Sequence, residues 1–168
     1  MSAPLEIERK YLINYPDVAW LQSHPHATVS EITQTYLVSH DGEERRVRAR
    51  REGDNVTYYY TVKRKVTAVT REEHERIITE AEYAALLAAA DPDKHPLTKT
   101  RYCIPHEGLC WEIDVYTFWK EQAIAEVELP SEDAPVTLPP EIRVIREVTG
   151  EKAFKNSELA KGRPSCSS

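Results

Sequence analysis

The stretch LEIERKYLI, residues 5–13, decides how the rest of the chain is read. As a β-strand its side chains alternate between two faces, so Glu6, Glu8 and Lys10 share one face, separated by Ile7 and Arg9. A lone strand of this kind would turn its charged side to water, as antiparallel sheets commonly do. The other strand-like runs make that reading insufficient.

Arg46, Arg48 and Arg50 share a face in RRVRAR, with Val47 and Ala49 opposite. Lys63 and Lys65 share one with Thr61, and Arg71, Glu73 and Glu75 alternate with Glu72, His74 and Arg76. Lys99 and Arg101 pair in TKTRYCI, Glu112 and Asp114 in LCWEIDVY, Glu126 and Glu128 in AIAEVEL. A solvated face usually mixes its signs, whereas here acids gather on some strands and bases on others. Like charges side by side are unfavourable unless opposite charges or ligands offset them. A closed sheet of about eight strands with these faces turned inward would supply the offset and leave room for one small ligand. Its carboxylates suit hard divalent cations such as Mg²⁺ or Mn²⁺, and its Lys and Arg suit phosphate groups.

The rest of the sequence is compatible with that architecture. The 168 residues are 40% hydrophobic and 30% charged, which is enough for one globular domain with a real core. A net charge of -6 argues against a general nucleic-acid binder. Three cysteines without a CxxC pair form neither a disulfide framework nor a zinc motif. With no apolar run of membrane-spanning length and no signal-peptide pattern, a cytoplasmic setting without membrane attachment is expected. Strands are expected at 5–13, 32–40, 45–52, 56–66, 70–78, 98–104, 109–116 and 122–129, with short turns that favour antiparallel hairpins. Helices are expected at 79–90, where Thr79 and Glu82 have capping-box spacing, after Pro16, and near Asn156. These helices would cover the outward apolar faces. The fold class is therefore α+β, an antiparallel eight-stranded β-barrel over residues 1–161, with 162–168 a mobile tail.

The same blocks resemble the CYTH superfamily, the triphosphate tunnel metalloenzymes, and its small bacterial members above all. The ExExK signature stands as Glu6-Ile7-Glu8-Arg9-Lys10. QTYL (34–37), VRAR (47–50), TVK (61–63), the R-x-E-x-E of Arg71, Glu73 and Glu75, KTRY (99–102), WEID (111–114), AEVEL (125–129), EVTG and NSELA follow in order. The resemblance implies a charged eight-stranded tunnel that hydrolyses triphosphate compounds, inorganic triphosphate in the small members, with Mg²⁺ or Mn²⁺ as cofactor. Carried over position by position, it implies a metal site at Glu6, Glu8, Glu126 and Glu128. Glu112 and Asp114, with Glu73 and Glu75, would serve a second metal or the attacking water. Lys10, Arg48, Arg50, Lys63, Lys99 and Arg101 would hold the triphosphate, Lys10 steering its terminal phosphate as well. The partner implied is a small-molecule triphosphate rather than nucleic acid or membrane, and the oligomeric state is left open, a homodimer being one option. Two alternatives remain: an adenylate cyclase of the same fold, for which this short chain offers no extended purine-binding segment, and a non-catalytic polyphosphate- or nucleotide-binding module.

Some positions depart from the pattern. YTFWKEQ (116–122) lacks glycines common in relatives, and PPEIRVIREVTG (139–150) lacks a Trp and Gly often found before EVTG. Lys152 and Lys155 read as solvated loop lysines, Tyr58 to Tyr60 as packing residues, and the six histidines as surface residues without ligand spacing. Cys103 and Cys110, flanking a turn at 105–108, read as buried small apolar residues.

Overall fold

Alternating charged and apolar residues leave each strand with one face that must be desolvated and one that must be neutralised, and the chain satisfies both by closing a sheet. The computed structural model describes residues 5–40 and 42–161; the tail expected at 162–168 lies outside the described residues. Nine strands form one antiparallel sheet: β1 (Leu5–Asn14), β2 (Thr28–Tyr36), β3 (Glu43–Glu52), β4 (Asn55–Lys65), β5 (Thr70–Ile78), β6 (Leu97–His106), β7 (Leu109–Tyr116), β8 (Gln122–Glu128) and β9 (Val144–Glu147). Their order is β5-β4-β3-β2-β6-β7-β8-β1-β9, and pairing of β1 with β5 closes the first eight into a barrel. Closure is asymmetric. β1 pairs with β8 from Glu8 to Asn14 but with β5 only from Leu5 to Ile7.

Two of these strands differ from the sequence reading. β2 begins at Thr28 rather than Ile32, because Thr28 to Glu31 continue the ladder with Thr100 to Cys103 of β6. It stops at Tyr36, the last residue paired with β3, and Leu37 then donates to the Arg45 carbonyl at 2.9 Å and bridges to Ala90. β9 was not anticipated. All four of its residues are exposed, so no apolar alternation marked it, and it exists because residues 11–13 of β1 offer a free edge beyond the short β5 seam.

The hairpins follow local turn chemistry. Between β6 and β7, Glu107 and Gly108 both have positive φ (53° and 77°), the conformation that matches the twist of a two-residue hairpin. Three α-helices are present among the described residues: α1 (Val18–Ser23), capped by Asp17, α2 (Glu80–Leu86), and α3 (Asn156–Leu159). At α2 the expected capping box forms: Thr79 Oγ1 accepts from the Glu82 amide while the Glu82 carboxylate accepts from the Thr79 amide.

The barrel carries its main apolar core on the outside. Ile13, Ile104, Trp111, Ile113, Ala125 and Val127 are fully buried there, under Leu21 of α1 and the irregular segment that runs from Leu129 to Ile142. That segment, not the helix expected at 79–90, is the principal cover. α2 covers a smaller cluster around Val47 and Ile78. Inside, the inward face turns apolar at one end, where Leu12, Tyr36, Leu97, Tyr116 and Ile124 pack with Leu159 of α3. No helix among the described residues is long and apolar enough to cross a membrane.

Candidate active site

Strand alternation delivers the charged residues to one interior cavity of about 220 Å³. β1 contributes Glu6, Glu8 and Lys10; β8 contributes Glu126 and Glu128; β7 contributes Glu112. Register makes these neighbours, with Glu8 opposite Glu128, Lys10 opposite Glu126, and Glu126 opposite Glu112. The facing wall is basic, with Arg48 and Arg50 from β3, Lys63 from β4 and Arg101 from β6, and β5 adds Glu73 and Glu75.

Two expected site residues are not on the wall. Lys99 and Asp114 lie beneath it, both fully buried, joined at 2.7 Å. Asp114 also accepts two hydrogen bonds from Arg101, from Nε at 2.8 Å and from Nη2 at 2.9 Å. Burial alone would raise the Asp114 carboxyl, but Arg101 and Lys99 overcome it and hold the group well below the usual carboxylate range. Burial lowers Lys99 to about 8 despite Asp114.

Several lining residues were missed by the sequence reading: Tyr36, Glu44, Arg46, Arg71, Lys155 and Asn156. Arg46 and Arg71 had a legible signal, since each shares strand parity with residues that were singled out. Lys155 corrects an expectation. It is half-buried on the cavity wall, where burial and then Arg71 push its amine down, whereas Lys152 is exposed as expected. Its position depends on how the segment after β9 lies across the barrel, which local sequence does not encode. Cys103 and Cys110 are a second correction. Cys110 is exposed and Cys103 half-buried, because both lie on the inward, charged face, Cys103 opposite Glu112, where no apolar core forms.

In this state the cavity neutralises itself. Lys63 lies 3.0 Å from Glu6 and 3.5 Å from Glu73; Lys10 lies 3.4 Å from Glu126; Arg48 lies 3.2 Å from Glu75, and Arg101 lies 2.9 Å from Glu112. Neutralisation is incomplete on both sides. The buried Nε atoms of Arg46 and Arg48 have no hydrogen-bond partner. Arg48 stacks over Tyr59 at 4.9 Å, and burial plus Arg46 and Arg101 lower it to about 10. On the acidic side, burial, then Glu126 and Glu6, push Glu8 up to about 7. Burial and a hydrogen bond with Glu73 raise Glu6, and burial with Glu6 and Glu112 raises Glu128. Burial also opposes ionisation of Glu126, yet Lys10 leads the cations that bring it down to about 2.

No three acidic, histidine or cysteine side chains among the described residues are close enough in this arrangement to hold one ion. The donor chemistry nevertheless fits a hard divalent cation. Glu8 and Glu128 face each other as carboxylates raised by burial and by their acidic neighbours, and oxygen-only donors are what Mg²⁺ and Mn²⁺ prefer. The unpartnered guanidinium nitrogens opposite call for an anion.

Comparison with known proteins agrees with this geometry. The chain is 31% identical over 159 residues to an inorganic triphosphatase of Nitrosomonas europaea, a match covering 92% of this chain and 96% of that protein. It is 38% identical over 104 residues to an inorganic triphosphatase of Acetivibrio thermocellus, covering 61% of this chain and 65% of that one, just under two thirds of its length. A crystal structure of an inorganic triphosphatase superposes with a TM-score of 0.56 at 30% identity, over 95% of this chain and 96% of that chain. The CYTH domain matches residues 4–161, nearly the whole chain, and the protein belongs to the CYTH domain family.

Proposed function

We propose that the chain is an inorganic triphosphatase of the reducing cytoplasm, cleaving the terminal phosphoanhydride by water attack with Mg²⁺ or Mn²⁺ bound. The observation that carries this reading is the double deficit of the cavity: buried guanidinium nitrogens without partners on one wall, and on the other carboxylates whose pKa values burial and their acidic neighbours raise. A triphosphate together with a divalent cation satisfies both walls at once. The relatives named inorganic triphosphatase support the same substrate.

Arg46, Arg48, Arg50, Lys63 and Arg101 would bind the phosphate oxygens, and Lys10 would orient the terminal group. Lys63 gives up Glu6 and Glu73 when it turns to phosphate, so substrate binding itself frees carboxylates. Glu6, Glu8, Glu112, Glu126 and Glu128 would hold the cation. A bound hard ion neutralises phosphate oxygens and lowers the pKa of an attacking water. Glu73, released from Lys63, and Glu75, held by the Thr61 hydroxyl at 2.8 Å, would position that water and take its proton. Asp114 would act by fixing Arg101 rather than by touching the ion, and Lys99 by accompanying Asp114.

The lining favours an inorganic substrate over a nucleotide. Among the described residues Tyr36 is the single aromatic side chain on the cavity wall, and no apolar side chain there lines it to receive a base. Phosphate release should follow with triphosphate and either ion, and should exceed release from ATP, thiamine triphosphate or long-chain polyphosphate; cAMP formation from ATP would indicate the cyclase instead. Glu6→Ala and Lys10→Ala should each lower turnover by about 100-fold or more, the scale of losing one preorganised electrostatic contact. Turnover unchanged by both substitutions would overturn the reading.

A further inference from the structure

Cys103 and Cys110 belong to neither the core nor the proposed triphosphate site. They occupy diagonal positions on the β6–β7 hairpin: Cys103 is opposite Glu112, and Cys110 is opposite Pro105. Alternation places both on the face that carries Arg101 and Glu112 into the cavity, at the end of β6 and β7 away from the apolar cluster of Leu97 and Tyr116, and that end is its mouth. The thiols are within interaction range of each other. Cys103 lies within hydrogen-bonding reach of the Cys110 thiol. Glu128 is on the same side, since Trp111 pairs with Val127 and Cys110 precedes it by one.

We propose that Cys103 and Cys110 form a binding site for one thiophilic divalent cation, Zn²⁺ or Cd²⁺, with Glu112 as a third donor, and that its occupancy shuts off the cavity. Geometry favours an ion over a disulfide. A disulfide needs Cβ atoms about 4 Å apart, while diagonal positions on paired strands are typically about 7 Å apart or slightly less. An ion with two bonds of about 2.3 Å separates its sulfurs by nearly 4 Å and bridges that span without moving the backbone. Capture is balanced as one cation bound and two thiol protons released.

Glu112 is held by Arg101 at 2.9 Å, and the three donors converge on an ion only when Glu112 turns from Arg101 to the thiols. Arg101 retains Asp114 when Glu112 leaves, so no buried cation is stranded. A soft ion at the mouth thus draws Glu112 away from the proposed Mg²⁺ or Mn²⁺ ligands and obstructs entry. The inhibitory consequence rests on the triphosphatase reading; the binding site does not.

Cys166 lies outside the described residues, so the test is made on the C166S chain. Titration with Cd²⁺ under reducing, Mg²⁺-saturated conditions should show a thiolate-to-cadmium charge-transfer band that saturates at one ion per chain. Triphosphate hydrolysis should fall in step with it. C103S and C110S should each abolish the band, raise the half-inhibitory Cd²⁺ concentration by at least tenfold, and leave Mg²⁺-supported turnover intact. Absence of the band in C166S, or a band unchanged by both serine variants, would overturn the proposal. Because the band is read without turnover, a chain inactive on triphosphate still tests the site, and such a result would count only against the activity.

Discussion

Asp114 sits between Lys99 and Arg101 without touching solvent. Removing one member of such a cluster leaves an uncompensated charge in a low dielectric, so Asp114→Ala should cost about 3–5 kcal/mol in urea unfolding. Lys10, whose partner Glu126 is at the cavity wall, should cost far less stability for a larger loss of turnover. Glu8 behaves in the opposite sense from Asp114. Its folded pKa of about 7 exceeds the ordinary 4.5, so the folded state holds a proton that the unfolded chain releases. The stability it contributes is complete below pH 4.5 and is lost as pH rises through 7. Glu6 and Glu128, also raised, act in the same direction. Thermal melts of chelator-treated protein should therefore fall between pH 5 and pH 8, and Glu8→Gln should flatten the decline. Mg²⁺ should restore stability most at the higher pH, where the carboxylates are ionised.

At the scale of elements, the turn after β9 governs how the segment carrying Lys155 crosses the barrel. Gly150 has φ of +75°, and a Cβ there would meet the Cβ and carbonyl oxygen of Ala68 at 3.3 Å. Ala68 precedes β5, next to the three-residue seam with β1. Gly150→Ala should thus destabilise by about 1–2 kcal/mol through left-handed strain, and amides of residues 5–7 should exchange faster by hydrogen-exchange mass spectrometry. The elements themselves were legible where local chemistry specifies them: the Thr79 capping box formed as read, the turn expected at 105–108 closes at Glu107-Gly108, and the eight alternating strands formed, β2 with shifted bounds. β9 and the cover from Leu129 to Ile142 were not, because an exposed edge strand and an irregular apolar segment carry no period of their own.

At the scale of the whole molecule, the proposed anion and cation would be coupled. Glu6 and Lys63 partner each other when the cavity is empty, so an anion that takes Lys63 releases Glu6 for a cation, and the reverse. Binding of a nonhydrolysable imido analogue of triphosphate should tighten with Mg²⁺, and Mg²⁺ should tighten by the same factor with the analogue, as linkage requires. Calorimetric titrations in both orders would measure that factor, about 5- to 150-fold for ordinary couplings. Independent binding would show that the ion pairs seen here do not exchange. The soft-ion site adds a second coupling of opposite sign through Glu112.

The alternation of LEIERKYLI and its counterparts determined, by itself, that acids and bases would line one closed surface, since strand parity is a local property and like charges demand compensation. It also identified Glu6, Glu8, Lys10, Arg48 and Lys63 as wall residues. Depth along the barrel was not in the sequence. Lys99 and Arg101 share parity, as do Glu112 and Asp114, yet one of each pair reaches the cavity and the other is sealed beneath it. Depth depends on register between strands distant in the chain and on where the apolar cluster around Tyr36 and Tyr116 fills the interior. Only the tertiary structure decided it, as it decided that Lys155 would line the cavity.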